Sequence, residues 1–459
     1  MPFLSRNPAT EASYGEFPTI DKATLLATLE RVREAQKSWR DVPLAERAAA
    51  VQRLGSALLA RRDELARLIT EEMGKVQREA RAEIEKCAQL CEYCATEGIA
   101  YLASEPAAVP ASRAYVAYQP LGVVLGIMPW NFPFWQVLRF AVPALLAGNG
   151  AAYKHAPNVP RCALALESLV LEAGLPPGLL TNLFIEDALV ADAIASPHVH
   201  AVTVTGSERA GRAVAALAGV HLKKCILELG GSDPFVVLAD ADLEWTVRQA
   251  VKSRYANCGQ ACIAAKRFIL APEIADAFVR QFVEQVAALK TGDPFDAATA
   301  MGPLARRDLR DHLDLQVRTA VSGGAQILLG GHAETGPGWF YAPTVLDGIT
   351  PASPVWQQEL FGPAALIVRA HDEAEALTLA NDTPYGLGSS VWSRDVARAE
   401  QFAARIEAGC SYVNSLVKSN PRLTFGGIKN SGFGRELSSQ GIREFTNVKT
   451  LWVRESGNV

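Results

Sequence analysis

The sequence predicts an α/β protein built on a doubly wound, largely parallel sheet. From Tyr115 onward, short apolar runs alternate with helical stretches, the pattern of parallel strands joined by crossover helices. A second series of the same kind follows Gly230-Gly231 and Pro234, which read as a hinge between two α/β units. Two further segments, residues 113–118 and 445–453, are rich in strand formers and fit neither unit.

Residues 21–102 read as successive helices. Leu25, Leu26, Leu29 and Val32 recur at helical spacing behind Asp21, which suits an N-cap. Within 83–102, Cys87, Cys91 and Cys94 take the C-x3-C-x2-C spacing of radical iron–sulfur enzymes. That stretch is an amphipathic helix without Gly before Gly98, and positions i, i+4 and i+7 share one face, so core packing is the reading and a cluster is rejected. The first α/β series places strands at 123–127, 151–154, 180–184, 201–205, 225–229 and 235–238, with helices at 134–147, 161–172, 187–194 and 208–217. Such sheets bind ligands beyond the C-terminal strand ends, where Asn131, Lys154 and Thr205-Gly206-Ser207 fall. The second series has helices at 242–256 and 274–289, a strand at 265–270, and later apolar runs at 325–329, 364–368, 388–392 and 411–414. Strand formers left exposed at 113–118 and 445–453 would aggregate, which points to burial in a subunit contact.

Composition narrows the function classes. At 459 residues the chain holds about two or three domains of ~150 residues each. Hydrophobic residues are 49% and charged residues 20%, as in a globular protein with large cores. A net charge of -4 and the lack of a Lys/Arg-rich block argue against nucleic acid as a partner. The start lacks a basic n-region followed by an apolar h-region. The most apolar stretch, 140–153, is too short for a bilayer and carries Pro143, Gly148 and Gly150, so no membrane partner is expected. Eight cysteines in a chain this long make no disulfide framework, so a cytoplasmic, reducing setting is expected. No metal site is indicated.

Three short polar insertions in apolar surroundings carry the chemistry. Asn257-Cys258-Gly259-Gln260-Ala261-Cys262 supplies a thiol, and its flanking polar residues and Gly259 favour a reactive Cys262 over a structural buried cysteine. Glu228-Leu229-Gly230-Gly231 places a carboxyl at the end of an apolar strand, where a raised pKa suits a general base; by spacing alone a solvated loop acid is the better reading, and only the neighbouring motifs reverse it. Pro129-Trp130-Asn131-Phe132-Pro133 offers the Asn131 amide as an oxyanion donor beside the Cys262 backbone N–H, with an ordinary turn Asn as the equal alternative. Thr205-Gly206-Ser207 closes a strand and opens a helix, a place where backbone N–H groups bind phosphate and Ser207 also caps. No G-x-G-x-x-G occurs. Lys154, at a strand end, can hold ribose hydroxyls or snorkel at the surface.

Taken together, residues 129–133, 205–207, 228–231, 259–262, Glu359-Leu360-Phe361-Gly362-Pro363 and 425–436 resemble the aldehyde dehydrogenase superfamily. The resemblance runs from Asn7-Pro8-Ala9 to Val448-Lys449-Thr450. It implies that Cys262 is the nucleophile, Glu228 the base for water and Asn131 the oxyanion donor. On the cofactor side it implies Lys154 and Glu359 at the two riboses, Thr205, Gly206 and Ser207 at the pyrophosphate, Phe361 by the nicotinamide, and Trp130 and Leu229 along the same cleft. The family fold implies a dinucleotide-binding domain from 1–103 and 121–229, a catalytic domain at 230–440, and an oligomerisation arm from 104–120 and 441–459. A homodimer or homotetramer follows from that arm.

Within the superfamily the chain looks like the bacterial succinate-semialdehyde dehydrogenases. Arg139 resembles their substrate-mouth arginine, in apolar surroundings where a guanidinium selects a distal carboxylate, against a helix arginine held by a salt bridge. A second pocket arginine of that subfamily is replaced by Ala256. Arg422 or Lys418, with Phe425, stands on the loop that lines the family's substrate tunnel. Pro157 occupies the place where many NAD-preferring members carry Glu, so NAD is expected with NADP usable too, His155 being adjacent. Other readings are a general aliphatic or other omega-carboxy aldehyde dehydrogenase, a CoA-acylating relative, which does not need Glu228, a thiol hydrolase, for which no His motif is present, and a non-catalytic scaffold, which the intact site residues disfavour.

Overall fold

Successive helices fill the early part of the chain, as the Leu/Val spacing predicts. The structure, a computed structural model, describes residues 2–455 and places helices at Lys22–Arg40, Leu44–Ala60, Arg62–Met73 and Gln77–Thr96. Asp21 caps the first by accepting from the Thr24 N–H at 2.8 Å. Cys87, Cys91 and Cys94 lie buried on the inner face of Gln77–Thr96. Ahead of these helices stands an antiparallel hairpin, Phe3–Arg6 with Ser13–Phe17, which the periodicity did not predict because each strand is very short. The Leu4 N–H bonds the Pro157 carbonyl at 3.0 Å and docks the hairpin on the first α/β unit.

The alternation of apolar runs produces two sheets. The first has six strands in the order Gly432–Phe433, Lys224–Glu228, Val199–Thr205, Val123–Ile127, Gly150–Lys154, Leu180–Asn182. All its pairings are parallel except that of Gly432–Phe433 with Lys224–Glu228. That edge strand lies in the span the sequence assigns to the second unit, yet its hydrogen bonds go to the first sheet. Alternate residues face opposite cores: Val124, Ala151 and Ile226 point to one, Val123, Leu125 and Val202 to the other. The second sheet has seven strands in the order Gln326–Leu329, Thr344–Asp347, Ala364–Arg369, Ala265–Leu270, Asp233–Val237, Gly388–Trp392, Cys410–Val413, antiparallel only in its first pair. The helices Arg307–Ser322, Glu373–Asn381 and Val396–Ala403 and the strand Thr344–Asp347 of this unit are additions to the sequence reading.

The two leftover segments pair with each other. Arg113–Pro120 and Thr446–Val453 form an eight-residue antiparallel ladder, with Glu105–Pro106 on the other edge. Between the early helices and the first sheet runs Trp135–Leu146, buried on every face, as a helix that is apolar all round but for Gln136 and Arg139 should be. Among the described residues no helix is long and apolar enough to cross a membrane.

Candidate active site

Strand register sets the floor of the site. Ile127 pairs with Lys154 and Thr205 with Glu228, so these positions line up at the C-terminal edge of the first sheet. The edge opens into a cleft of about 610 Å³ lined by Trp130, Asn131, Thr205, Gly206, Ser207, Leu229, Cys262, Glu359 and Phe361. Arg306, Leu309, His312 and Gln316 of the second unit form its far wall.

The cysteine segment reaches this cleft through a left-handed turn. Asn257, Cys258 and Gly259 all have positive φ, at 52°, 53° and 69°. Such a run is strained for Cys258 and natural for Gly259, where a Cβ would also sit 2.4 Å from the Gly362 carbonyl oxygen. The turn is clamped from two sides. Asn257 donates its backbone N–H to Glu79 at 2.8 Å, and buried Lys266 donates Nζ to the Ala261 carbonyl at 2.9 Å and the Cys262 carbonyl at 2.5 Å. Cys262 is left half-buried at the cleft floor, while Cys258 is buried in the core of the second unit. Burial pushes the Cys262 thiol up to about 11, against the opposing charges of Lys266 and Arg139.

Asn131 begins the turn before the buried helix. Its Nδ2 donates to the Gln260 carbonyl at 3.0 Å, and its own carbonyl accepts from Lys75 Nζ at 2.9 Å and Asn257 Nδ2 at 3.0 Å. Two backbone N–H groups just beyond it, Phe134 and Trp135, donate to Glu83 Oε1 at 2.9 and 3.1 Å, and Glu83 pairs with buried Lys75 at 2.5 Å. Lys75, Glu79, Glu83 and Lys266 therefore hold the Asn131 and Cys262 segments in place. Sequence reading missed all four, since charged residues normally face water; the signal for two of them was Glu79 and Glu83 at i, i+4 on the helix face that also carries Cys87 and Cys94, while Lys75 lies between helices and Lys266 on a strand.

Glu228 lies fully inside. Burial raises its carboxyl to about 8, with Arg139 opposing and Glu436 adding to the rise, and its Oε1 has no hydrogen-bond partner. Once ionised, that carboxylate has an unsatisfied oxygen with which to take a proton from water.

Arg139 departs from expectation. Its guanidinium is buried, ion-pairs with Glu436, donates to Thr205 Oγ1 at 3.3 Å and lies 5.2 Å over the Phe425 ring. Its carboxylate partner thus comes from the chain itself, because the 425–436 segment folds back against the buried helix through the Phe425–Glu436 bridge. Arg422 is exposed and ion-paired to Glu97, away from the cleft floor. Phe425 is buried beneath Arg139.

On the other side of the cleft, Ser207 caps Glu208–Val220, accepting from the Ala210 N–H at 3.3 Å. Lys154 pairs with Asp187 at 2.9 Å, and its ammonium lies 5.8 Å from the Phe3 ring. Glu359 accepts from the Gly231 N–H at 3.1 Å and lies 3.4 Å from Lys266 Nζ. Phe361 meets Trp130 edge-on at 5.9 Å. His155 is fully buried, contacts the Pro133 carbonyl at 2.9 Å, and is pushed down to about 4 by burial. It is therefore neutral and offers no charge to a nucleotide phosphate, a correction to the expectation drawn from its adjacency to Lys154.

Residues 2–451 match the sequence pattern described as the Aldehyde dehydrogenase family. The chain is 48% identical over 449 residues to the Escherichia coli K12 protein "Succinate semialdehyde dehydrogenase [NAD(P)+] Sad", covering 98% of this chain and 97% of that one. It is 47% identical over 460 residues to "Succinate-semialdehyde dehydrogenase [NADP(+)]" of Mycolicibacterium paratuberculosis, covering 99% and 98%. A solved succinic semialdehyde dehydrogenase from Streptococcus pyogenes, in complex with NADP+, superposes with a TM-score of 0.96 at 38% identity, covering 99% of this chain and 100% of that one. With a match along nearly its whole length and the cleft geometry above, the chain belongs to the aldehyde dehydrogenase family.

Proposed function

We propose that this protein oxidises succinate semialdehyde to succinate with NAD or NADP, through a thioester on Cys262. The observation that carries the chemistry is a half-buried thiol on the cleft with a buried carboxyl, one oxygen unsatisfied, close enough to bias it. The Cys262 thiol gives its proton to water, and the thiolate attacks the aldehyde carbon to give the oxyanion of a thiohemiacetal. The second N–H of the Asn131 amide and the Cys262 backbone N–H hold the oxyanion. When bound, the dinucleotide supplies the hydride acceptor. Glu228 then takes a proton from water, and the hydroxide adds to the thioester carbon; expulsion of the thiolate releases the acid.

The cleft residues fit such a dinucleotide. No protein atom lies within 4 Å of where a Gly206 Cβ would point, so the start of Glu208–Val220 is open to a phosphate. Ser207 and that helix start would hold the pyrophosphate, Lys154 and Glu359 the riboses, and Phe361, Trp130 and Leu229 the walls. Both nucleotides fit a site with Pro157 beside Lys154, in keeping with the names of the relatives. The three-stranded sheet serves as an oligomer arm in this reading, with Val448 62% and Trp452 52% exposed on it. Light scattering on the intact chain tests that part: a monomer would contradict it.

Support for the substrate comes from the names of the relatives. The test is steady-state formation of reduced nicotinamide from succinate semialdehyde and from butyraldehyde, with each nucleotide. The expected result is a kcat/KM at least about tenfold higher for the charged aldehyde, the value of one charge-assisted contact. Equal values for the two aldehydes would overturn the choice of substrate.

A further inference from the structure

The doubly buried strand Ala265–Leu270 carries two charged residues, Lys266 and Arg267, both fully buried. Successive residues of a strand face opposite sides, so the two serve different neighbours. Arg267 donates to the carbonyls of Ser232, Leu379 and Ala380 and lies over the Trp356 ring, which ties the second unit together. Lys266 turns to residues of the cleft. Its ammonium donates to the carbonyls of Ala261 and Cys262 and lies 3.4 Å from Glu359 Oε1, so its three N–H groups face three acceptors. A lysine is almost never fully buried without partners, and two of these partners are peptide groups that flank the thiol.

The Ala261 carbonyl shares its peptide group with the Cys262 N–H, and in a trans peptide the two point in opposite directions. A cation on that carbonyl fixes where the N–H points and polarises it into a stronger donor. The Cys262 N–H has no hydrogen-bond partner among the described residues, so it is free for a ligand. Gly231 packs against the same turn: a Cβ there would stand 2.9 Å from the Cys262 carbonyl oxygen. We propose that Lys266 is a positioning residue of the acyl-transfer step, which orients and polarises the Cys262 N–H toward the oxyanion. This inference rests on the thioester reading above.

The test compares two reactions of the same thiol, both read without nucleotide and against Cys262→Ala. In one, the Cys262 thiolate adds to the carbonyl carbon of p-nitrophenyl acetate, and the oxyanion so formed collapses with loss of p-nitrophenolate. In the other, the thiolate displaces iodide from iodoacetamide, and no oxyanion forms. Loss of the Lys266 charge makes the thiol less acidic and slows both reactions by the same factor, since Lys266 opposes the rise that burial imposes. Their ratio therefore isolates the oxyanion. In Lys266→Met the ratio of acylation to alkylation should fall about tenfold or more, part of the ~10²–10³ that loss of a whole oxyanion donor costs. Lys266→Gln keeps an N–H donor but no charge; its ratio should fall less, by about threefold or more, and it carries the test where Lys266→Met does not fold. An unchanged ratio in a wild type that is acylated at Cys262 overturns the role of Lys266 and leaves the thioester reading standing. A wild type no more reactive than Cys262→Ala overturns both.

Discussion

Glu228 is held protonated at neutral pH by its burial, so its role as base depends on pH. Hydrolysis of the thioester should accelerate as pH rises through about 8, the position to which the carboxyl is pushed. Glu228→Gln should abolish that limb and slow turnover by about 10²- to 10⁴-fold, the range for loss of a general base. Stability should move the opposite way. A raised carboxyl contributes fully below its ordinary 4.5, and that contribution is lost as pH rises toward about 8. Melting curves of Glu228→Gln against the wild type should therefore diverge in favour of the variant between pH 5 and 8; a constant difference would contradict the buried, neutral carboxyl. At this scale Cys262, Glu228 and Asn131 were singled out by short polar insertions in apolar surroundings, and only the insertions taken together favoured chemistry over a loop acid and a turn amide. The partner of Arg139 was not, since nothing in the local sequence ties residue 139 to Glu436; their pairing exists only after the 425–436 segment folds back.

Among the elements, the helix Gln77–Thr96 organises the site without supplying its chemistry. Glu79 fixes the cysteine turn, Glu83 takes the Phe134 and Trp135 N–H groups, and Lys86 faces Ser419. Glu83→Gln keeps the shape but leaves Lys75, whose side chain is 0% exposed, without its counter-charge. Removing one partner of a buried pair costs about 3–5 kcal/mol, so denaturant unfolding should show a loss of that order. A loss under ~1 kcal/mol, the value of a surface pair, would show that the ion pair does not bear on the fold. The strand at 123–127 matches its sequence-derived bounds because a parallel, doubly buried strand is a continuous apolar run; 265–270 and 388–392 match as well, although they bury Lys266, Arg267, Ser389 and Ser390. Arg307–Ser322 escaped notice because only one face of it is apolar, through Leu313, Val317 and Ala320, among many charges.

Across the whole molecule, the cleft joins what neither sheet holds alone. The first sheet brings Glu228, and the loop after its Val123–Ile127 strand brings Asn131; the second unit brings Cys262, Glu359 and Phe361. Lys75 and Glu79, far from both in sequence, hold the Asn131 and Cys262 segments together. The α/β class and the division into two such series could be read from the order of apolar runs. The return of Gly432–Phe433 to the first sheet could not, because a two-residue strand leaves no periodic signal. The most direct measurement is intact-protein mass spectrometry of Glu228→Gln mixed with succinate semialdehyde and NAD. A Cys262 thioester released by Glu228 predicts an enzyme heavier by one succinyl group, mapped to the Cys262 peptide and absent from Cys262→Ala. An unmodified enzyme that still forms reduced nicotinamide, or an adduct that persists in Cys262→Ala, would contradict it.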